Sequence, residues 1–221
     1  MSLIKVSDYI FREIAEKCGV DTVFMLPGGG CMHLVDSLGK TPGLDYVCCL
    51  HEQASAIAAE AYAQNRNSLG VVLVTAGPGS TNALTGVAGA WIDSTPLLVL
   101  SGQAKTTELM QDYGVRQMGI QEVDTAAIAA PVTKYSVCIK SPELVRRELE
   151  QTMDALLGQL PERERLILRL RFGMEDDTCH TLDEIGARLG VSGQRVGQLE
   201  QRALEKLRQM GVEFGLEDFL D

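Results

Sequence analysis

Val71-Val72-Leu73-Val74-Thr75-Ala76-Gly77-Pro78-Gly79-Ser80-Thr81-Asn82 runs from a pure aliphatic stretch through a glycine-rich turn into a helical pattern. Four consecutive β-branched or Leu residues mark a strand buried on both faces, as in a parallel sheet, and Gly-Pro-Gly marks its abrupt end. The same grammar repeats on either side. Thr22–Met25, Tyr46–Leu50, Leu97–Leu100 and Tyr135–Ile139 read as further buried strands. Ser7–Cys18, Cys31–Leu38, Glu52–Asn65, Thr81–Ile92 and Glu122–Ala129 read as the helices between them. Strand–helix alternation of this kind gives an α/β domain with a parallel sheet over residues 1–150.

The texture changes beyond residue 150. Strand signals stop, and Leu-, Arg- and Glu-rich helical segments follow in quick succession to residue 221. Pro142–Leu160 reads as one helix joining the halves. Pro161 sits at a first-turn position, with Leu166, Ile167 and Leu170 as an apolar stripe and Gly173 as a stop. Thr181-Leu182-Asp183-Glu184 has the spacing of a capping box, and Gly190 is the stop for that helix. Ser192 caps a last helix with Val196, Leu199, Ala203 and Leu207 on its inner face. Helix, tight turn, helix is the pattern of a helix-turn-helix, although a small bundle or dimerisation element has the same amphipathicity. The second domain, 151–221, is therefore expected to be small and all-α.

The 221 residues carry 20 Lys+Arg and 30 Asp+Glu, a formal charge of −10, split as −5 in each half. That balance argues against non-specific nucleic-acid binding by the whole molecule. No apolar run approaches the roughly 18 residues of a membrane span. Six cysteines without Cys-x-x-Cys spacing suggest buried thiols in a reducing cytoplasm, with no metal-ligand set.

Three features of the first half sit at carboxyl ends of strands, where open α/β sheets bind ligands. These are Pro27-Gly28-Gly29-Gly30, His51-Glu52-Gln53 and the Gly77–Asn82 turn. Glycines let backbone approach a ligand, and helix N-termini offer unpaired N–H groups. Each alone is compatible with a tight connection or a solvated first-turn acid. None matches the strict dinucleotide or Walker patterns.

Taken together, Val23–Gly29, His51-Glu52-Gln53-Ala54 and Gly77–Asn82 resemble the pyrimidine-binding domain of thiamine diphosphate enzymes, acetolactate synthase large subunits above all. Ala88-Gly89-Ala90-Trp91, Asp93-Ser94-Thr95-Pro96, Ser101-Gly102-Gln103 and Gln121-Glu122 continue the likeness over about residues 1–148. The resemblance implies that Glu52 bonds the cofactor's aminopyrimidine and so promotes loss of the thiazolium C2 proton, ahead of attack on a 2-keto acid. It also implies cofactor contacts from Pro27, Gly28, Gly29, Gly79, Asn82 and Gln121. In that family a second domain supplies Gly-Asp-Gly and a later Asn for magnesium and the diphosphate. The present sequence has no Gly-Asp pair, and the family's turn and buried strand after Ser141-Pro142-Glu143 are missing. The domain is thus expected to be truncated and inactive alone. An alternative is a decarboxylase or acetolactate synthase fragment that works with a separately supplied diphosphate-binding domain. A homodimer through the first domain is a further expectation.

Leu160–Arg165, Leu170–Gly173, His180–Gly186, Leu189–Ser192 and Arg202–Arg208 resemble region four of bacterial primary-type sigma factors, the likeness running to Glu217-Asp218-Phe219-Leu220. It implies recognition of −35 promoter DNA and docking on the RNA polymerase β-flap, the latter also a possible sole role. Arg188, Ser192, Gln194, Arg195, Gln198 and Arg202 are the implied DNA contacts. Family recognition helices open Ser/Thr-Arg-Glu-Arg-Ile/Val-Arg-Gln, whereas this one opens Ser192-Gly193-Gln194-Arg195-Val196-Gly197-Gln198. Two arginines are replaced by glycines, and positions 193, 197 and 201 are read as one outward, uncharged stripe. DNA reading is expected to be weakened. The two resemblances together describe a chimera, natural or engineered.

Overall fold

The computed structural model describes residues 4–66, 68–110, 113–157, 162–171, 175 and 178–212. Its contacts divide the chain into two compact units, Met1–Leu149 and Glu150–Asp221.

The first unit is built on four parallel strands in the order β2-β1-β3-β4. They are β1 (Thr22–Met25), β2 (Asp45–Cys48), β3 (Gly70–Val74) and β4 (Leu97–Ser101). β3 is central and all five of its residues are buried, as its unbroken aliphatic run demands. Helices α1 (Val6–Cys18), α2 (Met32–Leu38), α3 (Glu52–Arg66) and α4 (Pro78–Ile92) provide the crossovers and cover. Phe11 and Ile14 of α1 are buried, and Gly19, at φ 63, ends that helix in the left-handed conformation. On the opposite face Phe24, Val72 and Val74 pack against Ala56 and Ala59 of α3 and Ala83 of α4. Small residues bring α3 and α4 together closely: a Cβ on Gly86 would lie 2.6 Å from the Ala56 Cβ.

Two strand readings need correction. β2 forms, but all four of its residues are exposed, because an edge strand here has little laid over either face. Tyr135–Ile139 forms no strand. It is not among the strands of the sheet, and the hydroxyls of Tyr135 and Ser136 donate instead to the Glu148 carboxylate and the Ala126 carbonyl. Three helices also start differently, α4 at Pro78 rather than Thr81. A 3-10 turn at Gly29–Cys31 precedes α2, and α5 spans only Thr125–Ala129, capped by the Asp124 side chain accepting from the Ala127 N–H. Pro142–Leu160 resolves into a 3-10 turn at Pro142–Leu144 followed by α6 (Val145–Leu157). The thiols are less uniformly buried than expected: Cys31 is buried, whereas Cys48 and Cys179 are exposed.

The second unit contains α7 (Glu162–Arg171), α8 (Leu182–Leu189) and α9 (Gly193–Val212). Ile167, Leu170, Ile185 and Val196 form its core, with Leu166, Leu182, Leu189 and Leu199 packed around them. The capping box is present: Thr181 Oγ1 accepts from the Glu184 N–H and the Glu184 carboxylate accepts from the Thr181 N–H. Gly190 adopts φ 67 at the end of α8. Gly186 then determines how tightly the turn closes, because a Cβ there would lie 2.6 Å from the Val191 carbonyl oxygen. Pro161, Gly173 and 217–220 lie outside the described residues, as does the Leu207 side chain.

Candidate functional site

The strand order reverses direction between β1 and β3, so the loops leaving their carboxyl ends diverge and open a crevice at the switch point. Both loops are glycine-rich, and they touch through Thr75. The Gly30 N–H donates to Thr75 Oγ1 at 3.0 Å, and a Cβ on Gly28 would lie 2.5 Å from the Thr75 Cβ. Gly77 adopts φ 61 and starts α4, with Pro78 at the first helical position.

Glu52 opens α3 and is buried, although it stands at the carboxyl end of the sheet. Its Oε2 accepts from Asn82 Nδ2 at 3.0 Å. A Cβ on Gly79 would lie 3.1 Å from Glu52 Oε1 and 2.5 Å from Thr75 Cγ2, so glycine there leaves the carboxylate room on one side. The arrangement is one buried acceptor, held by one amide, beside a gap lined by backbone. It suits a flat, nitrogen-bearing ring that can donate to a carboxylate.

The remaining expected residues fall at different depths. Gly28 is half-buried, Pro27 and Gly29 are exposed on the rim, and Asn82 is exposed apart from its bond to Glu52. Gln121 is exposed, with φ 55, and its backbone lies against Gly77, where any Cβ would collide with the Gln121 carbonyl. The rim is apolar: Leu50 is 99 % exposed and Ile120 86 %.

Sequence reasoning passed over three supports. Thr75 links the two glycine loops. Ser80 Oγ donates to the Gly77 carbonyl at 2.8 Å and shares a 2.7 Å hydrogen bond with Thr125 Oγ1. Glu122, read as the start of a helix, is instead a buried loop carboxylate accepting from the N–H groups of Met110, Met118 and Gly119. Burial pushes its carboxyl up, but the three N–H donors outweigh this and the net shift is down. The available signal was the position of Thr75 at a strand end before a glycine turn. Nothing local in the sequence announced the Glu122 loop.

In the second unit α8 and α9 form the helix-turn-helix. The Ser192 Oγ accepts from the Arg195 N–H at 3.2 Å, as an N-cap should. Arg188, Ser192, Gln194, Arg195, Gln198 and Arg202 are all exposed. Arg195 donates to the Gln198 side-chain oxygen at 3.0 Å. Arg195, Gln198, Leu199, Gln201 and Arg202 line one shallow surface depression. The expected outward stripe is not found at two of its three positions. A Cβ on Gly193 would overlap Asp183 Oδ1, and one on Gly197 would lie 3.3 Å from Leu182 Cδ1. Both glycines therefore face α8, and only Gln201 is fully exposed.

Comparison with known proteins matches this division. Residues 4–128, more than half of the chain, match the family described as thiamine pyrophosphate enzyme, N-terminal TPP binding domain. Residues 156–209 match sigma-70, region 4. The acetolactate synthase isozyme 3 large subunit of Escherichia coli K12 is 38% identical over 151 residues, covering 68% of this chain and 25% of that protein. The acetolactate synthase large subunit of Lactococcus lactis is 41% identical over 125 residues, covering 57% and 21%. The catalytic subunit from Saccharomyces cerevisiae is 38% identical over 152 residues, covering 69% and 21%. The chain spans about a quarter of the length of these relatives. The chain belongs to the thiamine pyrophosphate enzyme family through its N-terminal TPP binding domain, and it carries a sigma-70 region 4 domain behind it.

Proposed function

We propose that the protein is a cytoplasmic fusion in which a catalytically incomplete pyrimidine-binding domain, 1–150, precedes a region-four domain, 151–221, that engages −35 promoter DNA and the RNA polymerase β-flap. The observation that carries the DNA half is the exposed run Arg195, Gln198, Arg202 along α9 of a helix-turn-helix. In such motifs the second helix enters the major groove, where Arg and Gln read base edges. Ser192 and Gln194 stand at the groove end of that helix, and Arg188 suits a phosphate. The two further arginines of the family pattern are absent, and Gly193 and Gly197, which stand there, face α8. The reading therefore rests on the exposed Arg188, Arg195 and Arg202, each worth about 1–3 kcal/mol of recognition where it makes a contact.

The residues of the first unit fit the pyrimidine half of thiamine diphosphate, whose thiazolium ring serves as an electron sink in 2-keto acid chemistry. Glu52 would hold the ring by accepting a hydrogen bond from a ring N–H, and Asn82, donating to its other side, would keep the carboxylate oriented. Gly79 leaves the access, and Pro27, Gly28, Gly29 and the Gln121 backbone would border the ring. In the family pattern magnesium and the diphosphate need the ligands of a second domain, whose Gly-Asp-Gly has no counterpart in this sequence.

That need favours a second reading, carried by the exposed apolar rim at Leu50 and Ile120: the unit works only under a separately supplied diphosphate-binding domain. Assaying acetolactate formation from pyruvate with thiamine diphosphate and magnesium separates the two. No product with the chain alone or with added diphosphate-binding domain supports the fusion reading. Product only on addition of that domain supports the second. Product from the chain alone refutes both. A homodimer through the first unit would cover the same rim and is read from sedimentation.

A further inference from the structure

The replacement of an expected arginine by Gly193 leaves a space at the start of α9, and the Asp183 side chain fills it. A Cβ on Gly193 would overlap Asp183 Oδ1 and would lie 3.1 Å from the Asp183 backbone nitrogen. Asp183 belongs to the first turn of α8, and Gly193 is the first residue of α9. One carboxylate thus sits over the N-terminal ends of both helices of the motif. Its neighbour Glu184 is tied into the capping box, but Asp183 makes no hydrogen bond or ion pair among the described residues. It is exposed.

When a helix-turn-helix docks, the first helix crosses the DNA backbone and the N-terminal residues of the second meet base edges. Helix N-termini attract anions, and phosphates ordinarily supply them. We infer that Asp183 is an electrostatic brake on DNA docking, taking the place of a backbone phosphate at the joint N-terminal corner of α8 and α9. This assigns part of the weakened reading to an acid on the first helix rather than to the recognition helix alone. The same charge favours the folded domain, because a carboxylate on helix N-termini is stabilising. Asp183 therefore acts in opposite directions on folding and on binding.

The inference rests on the −35 reading above, and the experiment keeps the two apart. Full-length wild type, Asp183→Asn and Asp45→Asn are titrated against a labelled −35 duplex by fluorescence anisotropy at several salt concentrations. Asp45 is an exposed acid in the other unit and makes the same change in net charge. Asp183→Asn is expected to bind about three- to tenfold more tightly at low salt, with a salt slope steeper by about one. Asp45→Asn is expected to bind like wild type. The Tm of the second unit is expected to fall by about 2–5 °C in Asp183→Asn. A lower Tm with unchanged affinity would make Asp183 merely structural and overturn the inference, as would an equal gain from Asp45→Asn. Absence of binding by all three proteins would overturn the −35 reading and the brake with it.

Discussion

Gly186 and Gly197 lie within adjacent helices of one small unit, yet replacing each with alanine is expected to shift stability in opposite directions. In a helix interior Gly→Ala is worth about 1 kcal/mol in favour of the folded state. At Gly197 the new methyl would lie 3.3 Å from Leu182 Cδ1, the far end of a flexible side chain. Most of the gain survives, and Gly197→Ala is expected to stabilise by about 0.5–1 kcal/mol. At Gly186 the methyl would lie 2.6 Å from the Val191 oxygen, 3.0 Å from the Gly193 nitrogen and 3.1 Å from the Ser192 carbonyl carbon, all backbone. Relieving it means moving the turn and the start of α9 away from α8. Overpacking of this kind costs about 1–3 kcal/mol or more, so the net effect is a loss of about 1–2 kcal/mol. Urea unfolding followed by circular dichroism at 222 nm resolves both. The only tryptophan, Trp91, lies in the first unit, so its fluorescence reports on that unit separately. If Gly186→Ala proves as stable as Gly197→Ala, the close α8–turn approach described above is wrong.

Three other outcomes follow from the first unit. Asn82→Asp sets a second carboxylate beside buried Glu52 and removes the amide donor, so Trp91-monitored unfolding should show a loss of about 1–3 kcal/mol that shrinks as pH is lowered. Glu60 is buried on α3, and its carboxyl is pushed up by burial and then by the Asp93 charge. A raised carboxyl favours folding at low pH and loses that contribution as pH rises through the folded-state value, so Glu60→Gln should raise the Tm at pH 7 and leave it unchanged in acid. Asp36 is held down to about 2 by hydrogen bonds from Lys40, at 2.6 Å, and then Lys5, at 3.0 Å. Its contribution is present above the ordinary carboxylate range and is lost as pH falls towards 2, so Lys40→Ala should raise the acid-unfolding midpoint by roughly a few tenths of a pH unit.

How far the sequence could be read depended on whether the information was local. β1 and β3 were legible because a run such as Val71–Val74 has few alternatives to a buried parallel strand. The capping box at Thr181–Glu184 was legible because four residues contain its whole hydrogen-bond pattern. Tyr135–Ile139 has an equally strand-like composition and failed, because a strand is a relation to a neighbour and composition does not supply one. Glu122 was misread for the opposite reason. Its donors come from Met110, Met118 and Gly119, and only the folded loop brings them round one carboxylate. The site itself was visible as three glycine- or acid-bearing turns at strand ends. The Thr75 bridge between two of them was not, since it depends on β1 and β3 being neighbours. The family pattern makes Gly193 and Gly197 lost arginines, and their spacing alone reads as an outward stripe. Spacing places them on one face of α9, and the structure turns that face towards α8.

The central proposal, that the second unit engages −35 DNA, is open to one direct measurement. Anisotropy of a labelled −35 duplex titrated with the full-length chain, beside a scrambled duplex at the same salt, measures it in one experiment. The expected result is a specific but weakened preference for the −35 duplex that Arg195→Ala and Arg202→Ala reduce further. Equal affinity for both duplexes, or no loss on replacing those arginines, would contradict it.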